Sequence, residues 1–386
     1  MKIIRRLTGC YKSQCPKKMH APCWFGIKPN FDPGVTINGF FLSEIGLGES
    51  ARQIYSALET QDGNFFAVNR IMEGAQNDMR FSSICGVDEN TSVTITIDGL
   101  LGFKKNSSEI CRRRYNMALC FWELEKYPQK YIDYLEKFDR ILAPSQFIFE
   151  SLCKYPSLRV SQIKHPVVTP AQAPNFQLSQ GVLKVLFFFD YGSFLSRKNP
   201  EAAILSFISA FPKKIKDVRL TIKCRGTDSD TSRAWLRGLI SRDARISIID
   251  ETLTKQEMSD LISSHDVFLS LHRSEGLGLG CAEALAHGKI VVATNYGGIT
   301  DFITEDTGFP VEWKRISVRE DEYVLSTGAT WADPDIAHAA VQLRKIYDDP
   351  STAMAKSQKG YENIVKNHSL EKTGAALMRI IDARDD

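Results

Sequence analysis

The chain has 386 residues, 43% of them hydrophobic and 25% charged, with 49 Lys/Arg against 46 Asp/Glu and nine cysteines. That length suits two domains of roughly 150–200 residues with sizeable cores, and a net charge of +3 gives no general argument for nucleic acid as a partner. No apolar run approaches the about 18 residues of a membrane span, the amino terminus lacks an apolar signal core, and the scattered cysteines hold no C-x-x-C pair, which argues for a reducing cytoplasm and against a zinc site.

Residues 1–31 carry seven Lys/Arg and no Asp or Glu. They read as a basic extension, with peripheral attraction to the anionic inner face of the cell membrane as one role and a solvated tail as the other. Cys10, Cys15 and Cys23 beside His20 read as unpaired tail thiols rather than a metal cluster. Regular structure begins with a predicted strand Val35–Leu42, a turn at Gly46 and Gly48, and a helix whose stripe includes Ile54 and Leu58. A glycine turn after the first strand of an α/β domain lies at the carboxyl edge of the sheet, where ligands bind. Short strands at Asn64–Asn69, Val93–Asp98 and Met117–Trp122 follow, then a helix opened by Pro128 at a first-turn position. A strand at Arg140–Ser145 leads to a helix capped by Ser145, and Val160–His165 closes this half. Three prolines between Pro166 and Gly181 mark a linker.

The second half opens on a continuous apolar strand, Lys184–Tyr191, of the kind buried on both faces of a parallel sheet. Asn199 and Pro200 cap the next helix. Strands at Val218–Cys224, Ile246–Asp250, Asp266–Leu271 and Ile290–Thr294 alternate with helices, which predicts a doubly wound parallel sheet. Final helices are expected near Asp335–Tyr347, Ser351–Asn367 and Leu370–Ala383.

The stretch Ser274–Lys289, SEGLGLGCAEALAHGK, lies between two of those strands. Gly276, Gly278 and Gly280 let a backbone approach a ligand closely, and the free amides of a helix start beyond them suit an anion. Glu275 and Glu283 flank the turn at an E-x7-E spacing and suit hydroxyl donors. A phosphate beside many hydroxyls describes a nucleotide sugar.

This stretch, with the GKIVVATNYGG that follows, resembles the donor-binding segment of retaining glycosyltransferases of the GT-B fold, family 4 (group 1). The resemblance covers about residues 35–383 and is strongest over 184–300. It implies two Rossmann-like doubly wound domains facing a cleft: an acceptor-binding domain at 32–178, a nucleotide-sugar domain at 179–366, and a last helix at 367–386 crossing back to the first. It implies that Glu275 contacts the sugar and Glu283 the ribose. Arg197, Lys198 and Lys223, in RKNP and LTIKC, match phosphate-binding positions, so that Arg197, Lys223 and Glu275 form the expected catalytic set. Gly297 and Gly298 match a loop beside the sugar and phosphates. GLGESAR, with Gly46, Gly48 and Glu49, resembles a loop against the diphosphate and the acceptor, and FWELEKYP places Trp122 and Glu123 at the cleft.

A departing diphosphate needs a metal or fixed cations and dipoles, and the predicted strand ends bring Arg197, Lys198 and Lys223 towards the 276–280 turn. Asp228-Ser229-Asp230 is a D-x-D that N-capping explains, so no metal or other cofactor is expected. The expected reaction is metal-independent hexosyl transfer to a glycan or lipid-linked acceptor of surface polysaccharide; GDP-mannose and UDP-glucose are both open as donors, with mannose favoured by the branch resembled. An epimerase or phosphorylase of the same fold, or a non-catalytic nucleotide-sugar binder, is the alternative. His165 reads as structural, and no first-domain histidine matches a catalytic position. His272 and Arg273 either meet the donor or stabilise the turn.

Overall fold

A computed structural model describes residues 32–385 except 74, 76, 87–89, 173, 180, 227–229 and 242. The basic extension, its cysteines and the first two residues of the D-x-D lie outside the described residues. Twelve parallel strands form two sheets. The first contains β1 (Asp32–Gly39), β2 (Phe65–Asn69), β3 (Thr91–Gly99), β4 (Tyr115–Phe121), β5 (Arg140–Ala143) and β6 (Val160–Gln162), in the order β2-β1-β3-β4-β5-β6. The second contains β7 (Leu183–Asp190), β8 (Val218–Arg225), β9 (Ile246–Asp250), β10 (Val267–Ser270), β11 (Ile290–Thr294) and β12 (Phe309–Val311), in the order β12-β11-β10-β7-β8-β9. The expected pair of Rossmann-like α/β lobes is what the chain forms.

Each order reverses once, at β1/β3 in the first lobe and at β7/β10 in the second. Crevices open outside the strand ends at such reversals. The carboxyl ends of the two sheets meet, so the loops after β1, β4 and β5 touch those after β7, β8, β10 and β11. Ser145 shows how one residue serves both scales. Its Oγ caps helix Gln146–Leu152 by accepting from the Ile148 amide, and donates to the Gly276 carbonyl of the other lobe at 2.6 Å.

Several local expectations need correction. Gly46 and Gly48 are not a turn but the first residues of helix Gly46–Glu59. A Cβ at Gly48 would lie 2.1 Å from the Ser43 carbonyl oxygen, so glycine is required there by the close return of the preceding loop. Pro128 is the extended N-cap of helix Gln129–Leu135 rather than a first-turn residue. Asn199 stands at the start of helix Pro200–Ala210 with φ 53° but caps nothing; its Nδ2 donates to the Leu271 carbonyl instead.

Several elements were not expected: β12, the short helices Phe103–Asn106 and Leu195–Lys198, and a ribbon. An antiparallel ribbon, β13 (Trp313–Ser317) and β14 (Thr330–Pro334), extends from the second lobe. Its connecting loop packs Val318, Tyr323 and Ala329 into the same core as Leu100, Trp122, Tyr127 and Ile148 of the first lobe. The lobes are therefore joined by a shared apolar core as well as by polar contacts.

Helix Leu370–Asp382 lies against helix Gly46–Glu59, with Leu377 and Ile381 in the first lobe's core. Gly374 permits the approach: a Cβ there would sit 2.0 Å from the Ala57 carbonyl oxygen. Leu377→Ala should lower stability by about 2–5 kcal/mol through lost burial and a cavity. Chemical unfolding of the variant beside the parent chain measures it.

Candidate active site

Glu275 follows β10 and occupies the centre of the site. Its carboxylate lies 3.1 Å from Arg197 Nη1 and 2.5 Å from Lys198 Nζ. Burial alone would push its pKa up, but Lys198 and then Arg197 reverse this and draw it down to about 2. Both cations come from the short helix Leu195–Lys198 after β7. That helix is bracketed by two non-glycine residues at positive φ, Phe194 at 65° and Asn199 at 53°. Such strain persists only where the surroundings enforce it.

Arg197 departs from expectation. It is 4% exposed. Its Nε donates to the Ser193 carbonyl at 3.1 Å and its Nη1 to the Ser274 carbonyl at 3.0 Å, besides meeting Glu275, while Nη2 faces Glu123 at 3.8 Å. A guanidinium has five N–H groups, and most of these point at protein. Lys198, by contrast, holds only Glu275 among the described residues.

Lys223 stands on the same sheet edge but outside this cluster. In register it pairs with Phe188 of β7, whose ring lies 2.9 Å from where a Gly280 Cβ would stand. The ammonium therefore lies on the sheet face that carries helix Leu279–Ala286. Among the described residues it makes no hydrogen bond or ion pair, and it is 4% exposed. Burial, followed by the neighbouring Arg225, lowers its pKa to about 8.

The glycines are explained first by protein, not ligand. A Cβ at Gly276 would lie 2.6 Å from the Trp122 carbonyl oxygen, one at Gly298 2.2 Å from the Gly276 carbonyl oxygen, and one at Gly297 2.5 Å from the Glu275 carbonyl oxygen. At Gly278 it would strike Ile299. These close approaches stack the loop after β11 on the loop after β10, and both on the first lobe. The Gly298 amide seals the stack by donating to the Glu275 carbonyl at 2.7 Å. What remains for a ligand is the run of amides at Leu277, Gly278, Leu279 and Gly280, which donate to no acceptor among the described residues. They open helix Leu279–Ala286, whose N-cap Gly278 sits at φ 81°, and such amides favour an anion.

Glu283, one turn further, is half-buried and accepts no hydrogen bond among the described residues. Burial, then the Glu49 carboxylate, pushes its pKa up to about 8. Glu49 is itself buried in the first lobe but spans the lobes. It binds Lys255 Nζ at 2.6 Å as well as Arg52 at 2.9 Å, and these cations overcome burial to hold its pKa low. Gly46 faces open space. Arg225 ties the lobes a second time by donating to the Glu44 carbonyl.

Trp122 does not line a cleft with its ring. The ring is buried against Tyr127 and, across the lobe junction, Tyr323, with Nε1 donating to the Lys126 carbonyl, while its own carbonyl meets Gly276 of the second lobe. Glu123 does face the site. Its carbonyl accepts from Ser274 Oγ, and its Oε2 accepts from Tyr323 at 2.5 Å. Tyr323 had no place in the sequence reading. From Trp313 onwards the sequence before it alternates only over Ile316–Val318, too short a stretch to mark a ribbon.

His272 and Arg273 stabilise the turn. His272 bridges Ser270 and the Tyr296 carbonyl, and burial lowers its pKa to about 4. Arg273 donates to the Ser196 carbonyl and stacks over Trp331. His165 is buried, with Nδ1 2.8 Å from the Pro166 carbonyl oxygen.

Residues 191–318 match the family described as "Glycosyl transferases group 1", a segment that is less than half of the chain. A D-inositol 3-phosphate glycosyltransferase of Arthrobacter sp. (strain FB24) is 26% identical over 189 residues, 48% of this chain and 40% of that protein. Sulfoquinovosyl transferase SQD2 of Arabidopsis thaliana is 43% identical over 67 residues, 16% of this chain and 13% of that protein. The chain thus matches under half the length of these curated relatives. Among solved structures, Anabaena HepE in complex with UDP-glucose aligns with TM-score 0.66 at 11% identity, covering 91% of this chain and 99% of that one. Sucrose-phosphate synthase from Thermosynechococcus elongatus aligns with TM-score 0.65 at 14% identity, covering 91% and 99%. A Staphylococcus aureus TarM mutant in complex with fondaparinux, α-GlcNAc-glycerol and UDP gives 0.58 at 15%, covering 77% of this chain and 56% of that one. At these identities the likeness is one of architecture, and that architecture is GT-B.

The Glu283 carboxyl yields a pH prediction. Its folded pKa lies above the ordinary 4.5, so its contribution to stability is complete below 4.5 and is lost as pH rises through about 8. The melting temperature of the unliganded protein should therefore decline over that window, and Glu283→Gln should flatten the decline.

Proposed function

We propose that this protein is a retaining glycosyltransferase that moves a hexose from a nucleotide sugar to a glycan or lipid-linked acceptor without a metal. The observation that carries the reading is the unpartnered amide run at Leu277–Gly280, placed beside a carboxylate, Glu275, that exposes one lysine partner to the lobe junction. A nucleotide sugar presents an anion and hydroxyls to these two groups respectively.

In this reading the ribose hydroxyls donate to Glu283 and the diphosphate rests on the amides of 277–280. Lys198 turns from Glu275 towards the diphosphate and neutralises charge as the sugar–phosphate bond breaks, with Lys223 as the second cation. Gly297 and Gly298 hold the backbone that flanks the sugar. Glu275, relieved of Lys198, accepts from sugar hydroxyls. Fixed donors of this kind are typically worth about 3–4 kcal/mol each in a transition state. The acceptor approaches from the first lobe past Gly46, and the reaction proceeds on one face of the sugar, with the leaving phosphate taking the acceptor's proton. GDP-mannose is the donor favoured by the sequence branch. UDP, named in the complexes of the HepE and TarM structures, is the competing nucleotide. A role in surface polysaccharide synthesis, and membrane contact through residues 1–31, extend the same reading.

Calorimetric titration with UDP- and GDP-sugars, with chelator present, tests it. At least one should bind, and binding to none would favour a scaffold role. Turnover of donor without an acceptor into an isomeric nucleotide sugar would indicate an epimerase, and a requirement for phosphate a phosphorylase. Glu275→Gln should lower transfer by at least about tenfold with the fold retained. Because Lys223 loses its proton near pH 8, nucleoside diphosphate affinity should fall as pH rises through about 8. Lys223→Met should bind more weakly at pH 7 and lose that pH dependence.

A further inference from the structure

Resting on the transfer reading above, we propose that Tyr323 and Glu123 are positioning residues for the reaction. They fix Arg197, and Arg197 in turn fixes Glu275 and the backbone at Ser274, so the guanidinium orients the sugar-binding carboxylate and does not bind the diphosphate.

The geometry of Arg197 supplies the first argument. Its Nε and Nη1 are committed to the carbonyls of Ser193 and Ser274 and to the Glu275 carboxylate. Releasing it to a phosphate would strip two carbonyls and a buried carboxylate of their donor, and unpaired buried groups of this kind are costly. Lys198 can move with far less loss, since its ammonium holds one partner among the described residues and its side chain is 21% exposed.

A second carboxylate and an aromatic ring keep Arg197 from following an incoming diphosphate. Glu123 is a counter-charge on the side away from Glu275, 3.8 Å from Nη2. Its own orientation is set by Tyr323, whose hydroxyl donates to Oε2 at 2.5 Å. The Tyr323 ring also lies 5.9 Å from the Arg197 Cζ, close enough for a cation–π contact, and packs edge-on against Phe194 at 4.7 Å. Phe194 is one of the two residues held at positive φ beside the short helix that bears Arg197. Tyr323 therefore supports the strained backbone and the charged side chain at once. Because Glu123 belongs to the first lobe and Tyr323 to the ribbon loop, the setting of Glu275 depends on the closed lobe junction. Donor chemistry is thereby coupled to the arrival of the first lobe.

The test separates binding from chemistry. UDP-glucose, UDP-N-acetylglucosamine and GDP-mannose are titrated into the full chain, and the tightest binder is used for the hydrolysis assay with water as acceptor. In that assay the anomeric carbon–phosphate oxygen bond breaks, the water oxygen bonds to the anomeric carbon, and its proton goes to the leaving diphosphate. Tyr323→Phe, which keeps the ring, and Glu123→Gln should each slow sugar release by about tenfold or more while nucleoside diphosphate Kd stays within about two-fold. Arg197→Gln should behave in the same way. Lys198→Met should weaken the nucleoside diphosphate relative to the bare nucleoside. A merely structural role for Tyr323 would lower affinity and rate together or neither. The proposal is overturned if Tyr323→Phe and Glu123→Gln hydrolyse donor at the wild-type rate, or if Arg197→Gln loses diphosphate affinity as Lys198→Met does. A wild-type chain that binds none of the nucleotides overturns the transferase reading and this inference with it. A wild-type chain that binds and hydrolyses donor beside unaffected variants overturns this inference alone.

Discussion

A carboxylate buried at the junction of two lobes must be paired, because an isolated charge in that setting is too costly to keep. Glu275 is that carboxylate, and most of the site follows from satisfying it. Its two cations come from a helix of four residues after β7, bent into place through positive φ at both ends. The larger cation is then shared with Glu123 from the other lobe, and Glu123 is shared with Tyr323 from the ribbon. Sheet edge, first lobe and inserted ribbon thus converge on one charge.

Close backbone packing makes the convergence possible. Gly276, Gly297 and Gly298 allow three loops to touch with no side chain between them. With these loops packed on one another, the proposed donor recognition rests on the amides that open the next helix, on Lys198, and on Lys223, which is buried and unpaired among the described residues. The unliganded site is neutralised by its own residues. In the proposed binding mode a diphosphate takes the place of Glu275 as the partner of Lys198, and sugar hydroxyls take the place of Lys198 on Glu275, which keeps its ion pair with Arg197.

Much of the architecture was legible in the sequence. Continuous apolar runs such as Ile290–Thr294 became strands with the expected bounds, and the alternation of strands with helices gave the two parallel sheets. Ser145 became a cap because a short side-chain oxygen before a helical stripe has one favourable use. The ribbon Trp313–Pro334 was missed because a short antiparallel insertion leaves the βα alternation around it undisturbed. The site was legible as to which strand ends meet, but not as to where long side chains go. Spacing places Arg197 and Lys198 together after β7, yet their different fates depend on carbonyls at Ser193 and Ser274 that no pattern marks. The glycines were recognised as close approaches, and the neighbours that Gly276, Gly297 and Gly298 admit are protein backbone. A missing Cβ signals contact, and only coordinates tell whether the contact is protein or ligand.

The most direct measurement is a crystal structure with UDP or GDP bound and no metal added. The account predicts the diphosphate within hydrogen-bonding distance of the Leu279 and Gly280 amides, with Lys198 turned onto it and Arg197 still on Glu275 and the Ser274 carbonyl. A diphosphate bound elsewhere than this helix start, or one that draws Arg197 away from Glu275, would contradict it.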